Sequence, residues 1–350
     1  MGNASRVVAV VEALVGLSEQ NHRKISCHIV TWGSAYRFLS EYKRESALAF
    51  DLIESHSYGS AEEVLDLFSP RSLFAFTKTF ARNVFFLRKL VARLKPALII
   101  LDSDYHFPAY FGSGSPIIYI GQANDVLERA KRDSYKPSSM RERLNFNFKE
   151  RFDSLLQSLF SNWILVPSFS GQSERGGKVK NIPLIVRKEF LGKPQASDAN
   201  QSVGILLSGS ELEKSAFLAI AKKFNLKVLS PGRKNEPSTV PSHAHTLDEF
   251  GIIFTQGGLS SISECIAREK FLVVFPMHCH PEQVLNAAEV ENLGLGMRSS
   301  LEELNSFPEL LREIVSRKKS ANETRVGCNG AEVAARFIFS NLPESHGLHG

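Results

Sequence analysis

The sequence predicts two α/β domains, each built on a parallel sheet. Three observations predict it. Short apolar runs alternate with helical stretches along the chain, the pattern of βαβ units rather than of hairpins. The alternation is interrupted by one polar stretch, "GKPQASDANQS" (192–202), the best linker in the chain. Finally, 350 residues with 43% hydrophobic and 23% charged content suit two domains that each bury a core. The first domain is expected over 1–191 and the second over 203–325, with a closing helix over 326–341 placed to pack back on the first.

In order, "SRVVAVVEALVGL" (5–17) spaces Val7, Val11, Leu14 and Val15 along one side of a helix. "ISCHIVT" (25–31) reads as a strand ended by Gly33, and a second short strand is expected near 50–53. The stretch 70–96 is helical, with a break allowed; "ALIILD" (97–102) and "PIIYIG" (116–121) are strands. A helix over 140–160 precedes "WILVP" (163–167) and "IPLIV" (182–186), two further strands. The second series begins with "VGILLSGS" (203–210), the helix "ELEKSAFLAIAKKF" and "LKVLSPG" (226–232). It continues with strands in 251–258 and 271–276, the helix "PEQVLNAAEVENLG" (281–294) and two late helices.

The net charge of +5 is mild and does not describe a nucleic-acid binder. Cys27, Cys265, Cys279 and Cys328 are scattered without a C-x-x-C pair, as reduced thiols in a cytoplasmic protein would be. No apolar run approaches the ~18 residues of a membrane span. "HCH" (278–280) has no further ligand spacing to support a metal, so no metal site is expected.

The chemistry concentrates in "FTQGGLSSISECIA" (254–267), where a strand meets two glycines and then a helix. Ser261 and Glu264 have capping-box spacing, which alone would explain the string. A second strand-turn, "FPMHCHPEQVLNAAE", follows closely, and ligands of open α/β sheets collect at the carboxyl ends of strands. Gly257 and Gly258 let the backbone approach a ligand, and helix N–H groups at Ser260 and Ser261 suit phosphate. Gln256 adds a donor, and Glu282 with Gln283 suits sugar hydroxyls.

The string from Gly257 to Gly296 resembles the donor-binding segment of inverting nucleotide-sugar glycosyltransferases with the two-domain GT-B fold. The resemblance is to family-28-type enzymes, which include the N-acetylglucosaminyltransferase that makes lipid II. It implies two Rossmann-like domains facing a cleft and a nucleotide sugar, a UDP-sugar, as co-substrate, with no cofactor. Gly257, Gly258, Ser260 and Ser261 would hold the pyrophosphate, and Glu264 would accept from the ribose hydroxyls. Glu282 and Gln283 would read the sugar, Asn286 would support their loop, and Gly209 and Ser210 would line the cleft. Gln256 stands where many relatives carry a phosphate-binding His.

The resemblance also implies a base on the first domain to deprotonate the acceptor hydroxyl. Relatives often keep a His in a first Gly-rich turn; here that turn reads Gly2 and Asn3. The nearest substitutes follow the strand at 97–102: Asp102, Asp104 and His106. The first domain is expected to lack the strand that precedes this turn in the family, and sequence upstream of Met1 would encode it. A basic, Phe-rich stretch over 71–95 has two readings. One is a peripheral contact with an anionic membrane, suited to a lipid-linked acceptor; the other is a core-facing helix with solvated cations. A nucleotide-sugar epimerase and a non-catalytic nucleotide-sugar-binding protein are the alternative functions.

Overall fold

The computed structural model describes residues 2–46, 48–58, 70–137, 139–171, 173–174, 177–192, 202–206, 214–229, 243–277, 280–319 and 325–343. Helix α1 (Gly2–Gln20) opens the chain. Strand β1 (His28–Thr31), α2 (Gly33–Ser46) and β2 (Asp51–Glu54) follow. Helix α3 (Pro70–Leu94) is unbroken and leads into β3 (Ile99–Asp102). Then come β4 (Ile117–Ile120) and α4 (Ala123–Arg132). Next, α5 (Met140–Asn145) runs through a π-helical turn (Phe146–Arg151) into α6 (Phe152–Phe160). Strands β5 (Trp163–Pro167), β6 (Ser173–Glu174) and β7 (Val179–Ile182) complete this domain. The expected strand over 182–186 is shifted: β7 ends at Ile182, before Pro183, which has no N–H to continue a ladder.

The first domain's strands form two separate sheets among the described residues. β1 and β2 pair in parallel, and β3-β4-β5-β7-β6 form a five-stranded sheet whose last pair alone is antiparallel. No strand joins these two sheets among the described residues. Helix α1 packs against both. Its Ala9, Val10 and Leu14 pack with Ile118, Ile120, Leu165 and Ile182 of the larger sheet. Its Ala4, Val8 and Val11 pack with Ile29, Leu39, Tyr42 and Phe50 beside the smaller one. Asn83 of α3, fully buried, exchanges two hydrogen bonds with the backbone of His56 and so moors the end of β2.

The second domain contains β8 (Val203–Leu206), α7 (Lys214–Phe224), β9 (Lys227–Leu229) and α8 (His243–Asp248). It continues with β10 (Ile252–Thr255), α9 (Leu259–Ala267), β11 (Phe271–Val274) and α10 (Pro281–Asn292). Last are β12 (Gly296–Arg298), α11 (Phe307–Lys319) and α12 (Gly330–Ser340). The sheet order is β12-β11-β10-β8-β9, all parallel, with an apolar cluster on each face. β8, β10 and β11 are buried along their whole length, as a parallel sheet covered on both faces requires.

The domains interlock beyond one linker. Leu184, Val186 and Phe190, assigned by sequence to the first domain, pack into the core of the second. Helix α12 returns to the first domain, where Ala331, Ala334, Ala335 and Ile338 join the cluster under α1. Its start crosses the connector so closely that a Cβ on Gly330 would lie 2.0 Å from the Pro183 carbonyl oxygen.

Candidate functional site

β10 delivers the chain to the turn Gln256–Gly257–Gly258, and α9 begins at once. Gly257 has φ +93°, and a Cβ there would sit 3.2 Å from the Gln283 backbone oxygen, so only glycine fits without strain. Gly258, with extended backbone, is the N-cap of α9 and no side chain caps the helix. The capping-box reading of Ser261 and Glu264 is therefore corrected: both lie inside the helix. The first turn carries Ser260 and Ser261, both half-buried, and no acid. Its N–H groups and dipole make it suited to an anion. Gln256 is fully buried.

Glu264 turns towards the first domain. Its Oε1 accepts from Ser5 Oγ at 2.7 Å and from Arg187 Nε at 2.9 Å. The Arg187 guanidinium also pairs with Glu189 through Nη1 at 2.7 Å.

The loop after β11 is braced from α10. Gln283 Oε1 accepts from the Met277 N–H at 2.9 Å. Asn286, fully buried, donates to the Gly257 carbonyl at 2.9 Å and accepts from Arg129 of α4 at 2.9 Å. One amide thus ties the Gly-rich turn to the facing domain, while Gln283 holds the neighbouring loop. Arg132 with Glu289, and the packing of Val126, Ala130 and Phe146 on Leu285, extend the contact.

Glu282, half-buried in the first turn of α10, is electrostatically coupled to two carboxyls of the first domain. Burial, then the charges of Glu282 and Asp153, push Glu150 up to about 8. Burial also pushes Asp153 up to about 6, against hydrogen bonds from Gln157 and Tyr119. Glu150 lies on the π-helical turn. Sequence reading missed both acids: the π-turn that carries Glu150 leaves no periodic signature, and Asp153, on the regular helix α6, meets Glu282 only through the tertiary fold.

The three candidate bases separate into two arrangements. Asp102 is locked in a two-point ion pair with Arg6 of α1, Nε to Oδ2 at 2.8 Å and Nη2 to Oδ1, with both side chains buried. Asp104 instead binds Nδ1 of His106 and accepts from the Tyr110 hydroxyl. Burial alone would raise the Asp104 carboxyl, but the His106 ring and the other hydrogen bonds hold it below its ordinary value. Nε2 of His106 faces the Tyr58 hydroxyl at 2.5 Å. Trp32, Phe80 and Tyr58 surround the ring, and Trp32, Tyr58 and His106 all follow the carboxyl ends of β1, β2 and β3.

Gly209, Ser210, His278 and Cys279 lie outside the described residues, as does 230–242, most of the stretch 230–247 in which the resemblance implies the pocket for the nucleotide's base. Among those described, no group of His, Cys, Asp and Glu is placed to hold a metal ion. Cys265 is fully buried, and burial pushes its thiol up. The basic, aromatic helix α3 divides its rings: Phe76 and Phe80 pack towards Tyr58 and His106, whereas Leu73, Phe74 and Phe85 are 53%, 70% and 60% exposed. Among the described residues no helix is long and apolar enough to cross a membrane.

No family profile matches the chain. An uncharacterized glycosyltransferase of Methanopyrus kandleri is 33% identical over 94 residues, 26% of this chain and 27% of that relative's length. Three solved structures are similar over almost the whole chain. The glycotransferase of kitacinnamycin has a TM-score of 0.54 at 17% identity, covering 97% of this chain and 96% of its own. MurG of Acinetobacter baumannii has 0.50 at 12%, covering 96% of each chain. The calicheamicin glycosyltransferase has 0.51 at 15%, covering 96% of this chain and 95% of its own. At these identities the likeness carries the architecture, and the chain has the two-domain GT-B fold of these glycosyltransferases.

Proposed function

We propose that the protein is an inverting, metal-independent glycosyltransferase that moves a sugar from a UDP-sugar to an acceptor hydroxyl. The observation that carries the reading is the Gly257–Gly258 turn at the start of α9, set beside the loop that Gln283 and Asn286 brace. The helix N-terminus would stabilise the charge that develops on the leaving diphosphate, and no metal or cofactor is required for that. Glu282 and the amide of Gln283 would contact the sugar. Glu264 would accept from the ribose.

His106 is the base this reading selects from the three candidates. Asp104 orients its ring through Nδ1 and leaves Nε2 to take a proton, the division of labour a general base needs. Tyr58 now occupies Nε2, so an acceptor hydroxyl would displace it. Asp102 is assigned to holding α1 through Arg6. The exposed Leu73, Phe74 and Phe85 on α3, interleaved with Lys78, Arg82, Arg88 and Lys89, favour an acceptor carried on an anionic lipid surface. In this reading the protein works in the cytoplasm, peripheral to the inner face of the membrane.

Incubation with UDP-sugars tests the proposal. Free UDP appearing only with an acceptor supports transfer. A changed sugar configuration would establish an epimerase instead, and binding without turnover a non-catalytic role. If no nucleoside diphosphate raises the melting temperature, the donor-site reading fails, because a ligand of the folded state must stabilise it.

A further inference from the structure

Two residues remote in sequence hold Glu264. Ser5 lies 259 positions before it and Arg187 lies 77 before it. Both donate to the same oxygen: among the described residues, every hydrogen bond to this side chain ends on Oε1. A carboxylate fixed through one oxygen presents the other in a set direction, with its lone pairs available.

The guanidinium that does this is itself held. Arg187 is 4% exposed and its Nη1 pairs with Glu189 at 2.7 Å. The group lies 4.7 Å from the centre of the Phe190 ring and 5.9 Å from that of Phe38. Phe190 is fully buried in the second domain's core, and Phe38 belongs to α2 of the first. One cation therefore stands between two carboxylates, in a setting assembled from both domains and their connector.

We infer that Arg187 is a positioning residue for ribose recognition: with Ser5 it holds Oε1 of Glu264 and leaves Oε2 to accept from the ribose hydroxyls of the donor. The inference rests on the donor-site reading above. It adds that the ribose contact exists only when the domains are in register, since Ser5 sits on α1 and Glu264 on α9.

Calorimetric titration with UDP and 2′-deoxy-UDP tests it. The intact protein should prefer UDP by about tenfold, the worth of one charge-assisted hydrogen bond. Ser5→Ala should reduce that preference to about threefold and Arg187→Met should abolish it, with Arg187→Lys between them. Affinity for 2′-deoxy-UDP should stay within about threefold throughout. Should Arg187→Met fail to fold, Ser5→Ala decides alone, because it removes a single hydroxyl. Equal losses for both nucleotides, or an undiminished preference, would overturn the inference. If Glu264→Gln loses the preference while Ser5→Ala and Arg187→Met keep it, the positioning claim falls and the donor-site reading stands. An intact protein that binds neither nucleotide removes both.

Discussion

The His106 imidazole has one nitrogen assigned to Asp104 and the other facing a hydroxyl, so its loss should be read in turnover rather than in binding. His106→Asn is expected to lower kcat by roughly 10²- to 10⁴-fold, the range of general-base catalysis, with the donor's dissociation constant unchanged. Glu150 predicts a pH effect of definite sign. Its folded value, about 8, lies above the ordinary 4.5, so the folded state holds the extra proton between them. Its contribution to stability is full below about pH 4.5 and is lost as pH rises through about 8. Glu150→Gln should flatten the decline of unfolding free energy between pH 5 and pH 9, by an amount on the order of a few kcal/mol at most, as read by denaturant titration across that range. At this scale the sequence was legible where chemistry is local: Gly257, the serines of α9 and Glu264 stand in one string. It was silent on Ser5, Arg6 and Arg187, because nothing in a local pattern names a partner scores or hundreds of residues away.

The turn into α9 and the helix itself form one unit, and its weak point is Gly257. Gly257→Ala forces a side chain onto a positive φ and against Gln283, and should cost about 1–3 kcal/mol in denaturant unfolding. Nucleotide affinity should fall with it, as the same backbone faces the proposed phosphate. Helix α3 supports a second prediction. Leu73→Gln with Phe74→Gln should weaken sedimentation with anionic vesicles while leaving the melting temperature within about 1 °C, because both side chains are exposed. An unchanged sedimentation would leave α3 as a purely structural helix. Most helices and strands were readable from periodicity. The start of α9 was misread, because Ser261 and Glu264 imitate a cap that Gly258 already supplies.

For the whole molecule, the polar linker pointed to two domains, and the closing helix was expected on the first, where α12 covers α1. What the sequence hid is the connector, which buries Phe190 in the second core. That contact is set by tertiary packing of ordinary apolar residues, which no pattern along the chain distinguishes from any other core. Removing α12 would strip cover from Ile118, Ile120 and Leu165, and should cost the first domain its cooperative unfolding rather than merely its last turn. The split of the first sheet has one more consequence. β1 and β3 each have a single strand neighbour among the described residues, so neither is flanked on both sides by strands. A strand with one neighbour is a template on which further extended chain can be laid. If this domain pairs with copies of itself at high protein concentration, these two strands are where the pairing would begin.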